Sequence, residues 1–196
     1  FIKALLNNEK GLHIDKDHFM TISPDEGSMN RAIYLANVLG VDMGMYYKRL
    51  DYSRYVNGRH PIAAYEFLGP KIEGKDMILI DDMISSGDTI IKIASLLKEK
   101  GAGRVYICST FGFFTDGLDK FDDAYKKGYF DKLLTTNLVY QSPELLEKPY
   151  YISCDMSKYI ALIIDTLNHD TSVSHLLNPV DRIKRCVTNY MSQHEK

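Results

Sequence analysis

One stretch decides how the chain folds: Met77-Ile78-Leu79-Ile80-Asp81-Asp82-Met83-Ile84-Ser85-Ser86-Gly87-Asp88-Thr89-Ile90. Its leading apolar residues form a short run that ends in polar and turn residues, which is typical of a buried strand. After the turn, apolar residues recur at helical spacing at Ile90, Ile93, Ala94 and Leu97. The stretch therefore predicts a strand, a loop and a helix, and open α/β sheets bind their ligands at such junctions.

The loop at residues 85–89 has the chemistry of a phosphate site. It offers three hydroxyls, and the first N–H groups of the following helix have no partner inside the helix and favour an anion. Asp81 and Asp82 are hydrogen-bond acceptors that suit the 2- and 3-hydroxyls of a ribose, and a carboxylate there suits a divalent metal. Together these groups predict a ribose 5-phosphate as ligand. The alternative is that the acidic pair only ends a strand and that Ser86 or Asp88 only caps a helix.

Length and composition restrict the class of protein. The chain has 196 residues, of which 45% are apolar and 26% charged, which is ordinary for one globular domain with a sizeable core. The net charge of −2 gives no sign of a nucleic-acid or membrane surface, and no apolar run approaches the roughly 20 residues of a membrane span. Cys108, Cys154 and Cys186 are scattered, which indicates free thiols in a cytoplasmic protein rather than a disulfide framework.

An acidic turn precedes the central stretch. Phe19–Ser23 predicts a strand, and Pro24-Asp25-Glu26-Gly27-Ser28 predicts a turn into a helix that is closed by Gly40. If the strands are parallel, Asp25 lies at the same end of the sheet as Asp81. The alternative role for Asp25 is only to interact with the dipole of the following helix.

A basic segment lies between these two acidic regions. Residues 41–47 predict a strand, and residues 48–59 predict a loop with a turn at Asn57-Gly58. Positioned Lys and Arg side chains stabilise the charge that develops on phosphate oxygens during transfer, so this segment suits a polyphosphate. The alternative is a solvated hairpin or an oligomer contact. The cations concerned are Lys48, Arg49, Arg54 and Arg59.

Strands alternate with helices along the whole chain. Further strands are expected at Ile62–Leu68, 104–110, Lys132–Thr136 and 150–154, and further helices at 116–127 and around Ile160, Ile163, Ile164 and Leu167. This order predicts an α/β fold with a mainly parallel sheet flanked by helices on both faces. Loops at the carboxyl ends of the strands would then bring Asp25, Lys48, Arg49 and residues 81–89 together.

The central stretch resembles the phosphoribosyl pyrophosphate (PRPP) binding motif of type I phosphoribosyltransferases, in the version found in ribose-phosphate pyrophosphokinases. Other segments are similar to the C-terminal half of the latter family: Ile22-Ser23-Pro24-Asp25-Glu26-Gly27, Asn30-Arg31-Ala32, Tyr47-Lys48-Arg49, Asp155-Met156-Ser157-Lys158 and Thr171-Ser172-Val173-Ser174. The resemblance implies a type I phosphoribosyltransferase-like fold over residues 1–196 as a single domain. Because the chain begins at Phe1, we expect a longer parent chain whose N-terminal half is absent here.

The resemblance also implies a reaction: transfer of diphosphate from Mg-ATP to the 1-hydroxyl of ribose 5-phosphate, giving PRPP and AMP for nucleotide biosynthesis. Lys48 and Arg49 would be catalytic, and Asp25 would help to hold Mg²⁺. ATP would be a co-substrate, and the protein would be a cytoplasmic homo-oligomer with no nucleic-acid or membrane partner. Ribose 5-phosphate would be held by Asp81, Asp82, Ser85, Ser86, Gly87, Asp88 and Thr89.

Three positions depart from the family pattern. Leu50 stands where an arginine is usual, Phe111 where a histidine is usual, and Asp88 where a small residue is usual. Arg54 or Arg59 are candidates to replace the missing arginine. We expect the chain alone to bind ribose 5-phosphate weakly and to make no PRPP, since nothing in it supplies much of the ATP site. Two alternatives stay open: a phosphoribosyltransferase that consumes PRPP, and a non-catalytic regulatory subunit.

Overall fold

A computed structural model describes residues 1–55, 58 and 60–194 of the chain. Seven strands form one sheet in the order β3-β2-β1-β4-β5-β6-β7. The strands are β1 (Phe19–Ser23), β2 (Asp42–Leu50), β3 (Ile62–Leu68), β4 (Asp76–Ile84), β5 (Val105–Gly112), β6 (Lys132–Thr136) and β7 (Tyr151–Cys154). The helices are α1 (Ile2–Asn8), α2 (Met29–Leu39), α3 (Asp88–Glu99), α4 (Asp119–Lys126), α5 (Pro143–Leu146), α6 (Ser157–Asn168), α7 (Ser174–Leu177) and α8 (Val180–His194).

The predicted α/β class is confirmed. Every neighbouring pair of strands is parallel except β2 and β3, which form an antiparallel hairpin at one edge of the sheet. Helices α3 and α4 cover one face through Ile93, Leu97 and Phe121, and helices α1, α2 and α8 cover the other. Parallel sheets need apolar cover on both faces, which explains why the strands read as nearly continuous apolar runs.

Strand β4 lies at the centre of the sheet and supplies both halves of the core. Met77 and Leu79 face one buried cluster, and Ile78 and Ile80 face the other, all of them buried. Successive side chains of a strand point to opposite faces, so one short segment holds both helical layers to the sheet.

The end of β4 differs from the sequence-based expectation. The strand was predicted from the apolar run alone, but β4 continues beyond that run through both carboxylates to Ile84. Its partner β5 also continues, and the register pairs Asp81 with Ser109 and Met83 with Phe111. Hydrogen bonding to a neighbouring strand is a tertiary effect, which the local run of apolar residues does not contain.

The basic segment was also placed wrongly in part. Lys48, Arg49 and Leu50 belong to strand β2 rather than to a loop, because β3 pairs with them in the antiparallel hairpin. The hairpin was the alternative interpretation of this segment. The predicted turn at Asn57-Gly58 and the side chain of Arg59 involve residues outside the described ranges.

The C-terminal helices form where periodicity predicts them. Helix α6 contains the expected apolar residues, but several of them are exposed. The exposed fraction of the residue is 62% for Ile164 and 60% for Leu167. All three cysteines are free, and Cys108 and Cys154 are buried as expected. Within the described ranges, no helix is both long enough and apolar enough to cross a membrane.

Arg104 connects the start of the sheet to the segment after α1. Its guanidinium donates to the Asp76 carboxylate at 2.9 and 2.6 Å and to the carbonyls of Lys10 and Gly11 at 2.9 and 2.8 Å. A planar fork with several donors matches this set of acceptors, whereas an ammonium group does not.

Arg104→Lys is therefore expected to lower the free energy of unfolding by about 2 kcal/mol, because charged hydrogen bonds at a partly buried site are lost. Urea denaturation followed by circular dichroism measures the change. Arg185→Lys is the matched control, since exposed Arg185 donates to one helix carbonyl at 3.3 Å. Equal effects of the two substitutions would contradict this role of Arg104.

Candidate functional site

The junction between β4 and α3 is built around Gly87. This residue precedes α3 with φ at +86°, a conformation that glycine adopts without strain. A Cβ at this position would lie 2.3 Å from the ring of Phe121 on helix α4. The turn therefore combines a left-handed backbone with close packing, and it aims the free N–H groups of α3 into solvent at the sheet edge.

A pocket of about 180 Å³ opens at this junction. It contains most of the residues predicted from the sequence, drawn from the end of β1, the end of β4 and the first turn of α3. The residues that line the pocket are Asp25, Asp81, Met83, Ile84, Ser85, Ser86, Gly87, Asp88, Thr89 and Ile90. Carboxylates at one end and hydroxyl and amide donors at the other are what a sugar phosphate needs.

The Asp81 carboxylate is partly buried at this junction. It accepts a hydrogen bond from the Ser28 hydroxyl at 2.6 Å and one from the backbone N–H of Asp82 at 2.9 Å. Burial raises the pKa of Asp81 above its ordinary value, and the nearby Asp25 charge acts in the same direction. A ligand group that donates a hydrogen bond to Asp81 would therefore stabilise the ionised form of this carboxylate.

Lys48 comes next to the acidic residues, as predicted. Its Nζ atom lies 3.0 Å from an Asp25 carboxylate oxygen, because β1 and β2 are parallel neighbours whose carboxyl ends meet. The other Asp25 oxygen accepts from the backbone N–H of Gly27 at 3.1 Å. An ion pair thus lies beside the pocket, because Asp25 is one of its lining residues.

Two predicted residues point elsewhere in this structure. The Asp82 carboxylate contacts the Arg31 guanidinium of α2 at 3.3 Å, and Asp82 is not among the residues that line the pocket. Alternation along β2 separates Arg49 from Lys48. The Arg49 guanidinium pairs with Glu66 on β3 at 2.8 Å, and both side chains are more than half exposed.

Asp88 has the counter-charge that its position requires. Lys120 on α4 donates to one carboxylate oxygen at 2.8 Å, and Ser86 donates its hydroxyl to the other at 3.0 Å. The hydrogen bond from Lys120 and then that from Ser86 lower the pKa of Asp88. The carboxylate is consequently ionised and screened rather than facing the phosphate loop alone.

The sequence analysis missed three contributors to the site. Ser28 supplies the hydrogen bond to Asp81, Arg31 neutralises Asp82, and Lys120 neutralises Asp88. Arg31 lies within a segment that carried the family resemblance. Lys120 had no sequence signal, because it comes from a helix that is distant in sequence from the motif.

The other departures from the family pattern lie on strands. Leu50 pairs with Ile62 in the β2–β3 hairpin. Phe111, one residue before the end of β5, lies beside Met83 and stacks on Phe113, with 6.2 Å between the ring centroids. Of the neighbouring aromatic residues, Phe114 packs against the core and Phe113 is half exposed.

A protein-family model described as the phosphoribosyl synthetase-associated domain matches residues 59–178, which is more than half of the chain. The chain belongs to this family. Curated relatives of this phosphoribosyl synthetase-associated domain include the ribose-phosphate pyrophosphokinase of Vibrio parahaemolyticus, which is 29% identical over 83% of this chain and 49% of its own length. That of Thermococcus kodakarensis is 31% identical over 61% of this chain and 39% of its own.

A solved structure has the same fold. The crystal structure of phosphoribosylpyrophosphate synthetase from Mycobacterium smegmatis superposes with a TM-score of 0.64 at 24% identity, over 78% of this chain and 45% of that one. The present domain spans about half the length of the curated relatives it matches. The likeness confirms the expected family and fold.

Gly87→Ala is expected to lower the free energy of unfolding by about 3 kcal/mol, because left-handed strain and overpacking against Phe121 add. Gly117→Ala is the control, since Gly117 has φ at +79° with nothing within 4 Å of an added Cβ. The control isolates left-handed strain and should cost about 1 kcal/mol. Equal costs in thermal denaturation would contradict close packing at the loop.

Asp81→Asn is expected to raise the Tm at pH 7. A carboxyl whose pKa is raised in the folded state costs stability above that pKa, and the amide removes this cost while keeping an acceptor for Ser28. The gain should shrink as the pH falls through the raised pKa, because wild-type Asp81 then becomes neutral.

Calorimetric melting between pH 7 and pH 4 measures this effect. Asp123→Asn makes the same change of charge at an exposed position on α4 and serves as control. A loss of Tm in Asp81→Asn that is the same at every pH would contradict the assignment of a raised pKa.

Proposed function

We propose that this domain forms the ribose 5-phosphate site of a ribose-phosphate pyrophosphokinase, which transfers diphosphate from ATP to the 1-hydroxyl of the sugar and yields PRPP and AMP. The observation that carries the proposal is the shared pocket of Asp81, Asp25 and the 85–89 loop. The names of the curated relatives support the same reaction class.

The loop at residues 85–89 binds the phosphate in this proposal. The backbone N–H groups of Asp88 and Thr89 belong to the first turn of α3, and the positive end of the helix dipole favours an anion beside them. The Ser85, Ser86 and Thr89 hydroxyls line the same pocket and add neutral donors that follow the ligand's orientation.

The acidic pair, Asp81 and Asp82, binds the 2- and 3-hydroxyls of the ribose in this proposal. Asp81 accepts from ribose hydroxyls within the pocket, and Asp82 is adjacent along β4. For Asp82 to take part, its contact with Arg31 at 3.3 Å must lengthen or be shared with the sugar. A hydroxyl donating to Asp81 stabilises its charge in the way that the Ser28 hydroxyl already does.

Charge stabilisation during transfer falls to Lys48. Diphosphate transfer spreads negative charge over equatorial oxygens, and a positioned ammonium group stabilises that charge more strongly in the transition state than in the ground state. Arg49 belongs to the same proposal, and its exposed pair with Glu66 must exchange for phosphate oxygens if it acts.

The residues of the pocket fit Mg²⁺. Asp25 and Asp81 present carboxylate oxygens to the same space, and Mg²⁺ is usually held by one or two carboxylates together with substrate oxygens. The described ranges contain no group of three or more acidic, histidine or cysteine side chains that would hold a metal alone. When bound, Mg²⁺ supplies neutralisation of polyphosphate charge.

The proposal extends to the setting of the protein. Free cysteines suit the reducing cytoplasm, and the exposed apolar residues of α6 suit a contact between subunits. The ATP site needs groups beyond those in this pocket, so the domain alone is expected to bind the sugar phosphate and to release no AMP.

Isothermal titration of residues 1–196 with ribose 5-phosphate and Mg²⁺ tests the proposal. Saturable binding is expected for ribose 5-phosphate, and none for ribose, because the phosphate supplies most of the attraction. The double variant Asp81→Asn with Asp82→Asn should weaken binding at least about tenfold, since each lost charged hydrogen bond contributes roughly 1.5–3 kcal/mol. Asp123→Asn should bind as the wild type does.

Four results would contradict the proposal. Absence of heat with ribose 5-phosphate would show that this sugar phosphate is not the ligand. Unchanged binding in the double variant would show that the acidic pair does not bind it. Release of pyrophosphate from PRPP on addition of a nucleobase would indicate the phosphoribosyltransferase alternative. AMP formation by the domain alone would contradict the expectation that the ATP site needs groups beyond those in this pocket.

A further inference from the structure

Both serine hydroxyls of the 85–89 loop already have partners within the chain. Ser86 donates to Asp88 at 3.0 Å, and its oxygen also lies 3.4 Å from the backbone nitrogen of Asp88. The Ser85 hydroxyl lies 3.2 Å from the hydroxyl of Thr115. A phosphate that enters the loop therefore competes with Asp88 and Thr115 for the hydroxyls of Ser86 and Ser85.

The partners form one connected network. Lys120 donates to Asp88 at 2.8 Å and to Asp116 at 2.9 Å, and Thr115 donates to the other oxygen of Asp116 at 3.4 Å. The backbone N–H of Thr115 also donates to the Ser85 carbonyl at 3.1 Å. The network thus runs from one loop serine to the other through a single cation.

Asp88 has the properties of a resident anion. It is the first residue of α3, where the helix dipole favours negative charge, and it occupies one hydroxyl that would otherwise donate to a phosphate. Its side chain is 67% exposed, so no packing holds it in this orientation. A doubly charged phosphate at the same helix terminus would meet repulsion from this carboxylate.

Lys120 is placed by the same contact that shapes the loop. It precedes Phe121, whose ring fills the space under Gly87 and fixes α4 against the junction. Lys120 therefore cannot move far from the loop while the core is intact. Its ammonium group has three donors and lies on a flexible stem, so it can turn from a carboxylate to a phosphate over a short distance.

We propose that Asp88 is a built-in competitor for phosphate monoesters at the 85–89 loop and that Lys120 is a phosphate-binding residue, released from Asp88 when the ligand enters. The inference rests on the proposed function and extends it. It identifies a residue outside the motif that binds the phosphate group, and one inside the motif that limits affinity.

The proposal predicts effects of opposite sign for the two members of one ion pair. Asp88→Asn removes the competing charge and releases Lys120 from one of its two carboxylate partners, so it should strengthen binding. Lys120→Met removes the incoming partner of the phosphate and leaves Asp88 unscreened, so it should weaken binding. An ion pair with only a structural role would give a loss in both variants.

The experiment is calorimetric titration of residues 1–196 with inorganic phosphate and, separately, with ribose 5-phosphate at low ionic strength. Asp88→Asn should lower the dissociation constant for both ligands by about tenfold, and Lys120→Met should raise it by about tenfold, as expected for one charged hydrogen bond. Asp123→Asn and Lys126→Met are charge-matched controls on α4, which pair with each other at 3.8 Å. Both controls should stay within about twofold of the wild type.

The outcomes separate this inference from the proposed function. If ribose 5-phosphate binds through Asp81 but neither Asp88→Asn nor Lys120→Met changes its affinity beyond the controls, the inference is overturned and the proposed function stands. A different outcome is that the affinity for inorganic phosphate changes with the predicted signs in both variants while ribose 5-phosphate binds no more tightly than inorganic phosphate. In that case the inference stands and the proposed sugar site is wrong. Weaker binding in both variants overturns the inference, and so does absence of binding in every variant.

Discussion

The site depends on one packing constraint: a glycine with a left-handed backbone lies directly on the ring of Phe121. Gly87 immediately precedes α3, and this contact sets how closely the start of α3 approaches α4. The free N–H groups of α3, the loop hydroxyls and the position of Lys120 all follow from it. Any side chain at residue 87 would push the helix and the ring apart, so the same atoms determine stability and ligand geometry.

Paired charges dominate the electrostatics around this junction. Asp25 lies beside Lys48, Asp82 beside Arg31, and Asp88 beside Lys120, with each pair joining different elements of the fold. Asp81 instead accepts from a hydroxyl and a backbone N–H, and its burial raises its pKa. A neighbouring cation therefore balances three of the four carboxylates at this junction. A bound sugar phosphate would exchange partners within these pairs rather than fill a site with excess positive charge.

Sequence predicted those features that are local. Strands β1 and β6 begin and end at the residues predicted for them, and Gly40 closes α2 in the left-handed conformation. The extensions of β2 and β4 were missed because they depend on pairing with β3 and β5. The contact between Arg31 and Asp82 joins residues 51 positions apart, and a motif does not contain such information. The chemistry of the loop was predictable, whereas the counter-charges that modify it were not.

The most direct test is a crystal structure of residues 1–196 with ribose 5-phosphate. The account predicts phosphate oxygens within hydrogen-bond distance of the Ser86 hydroxyl and the backbone N–H of Thr89, with ribose hydroxyls donating to Asp81. A sugar phosphate bound elsewhere, with the loop still holding Asp88 against Ser86, would contradict the central claim.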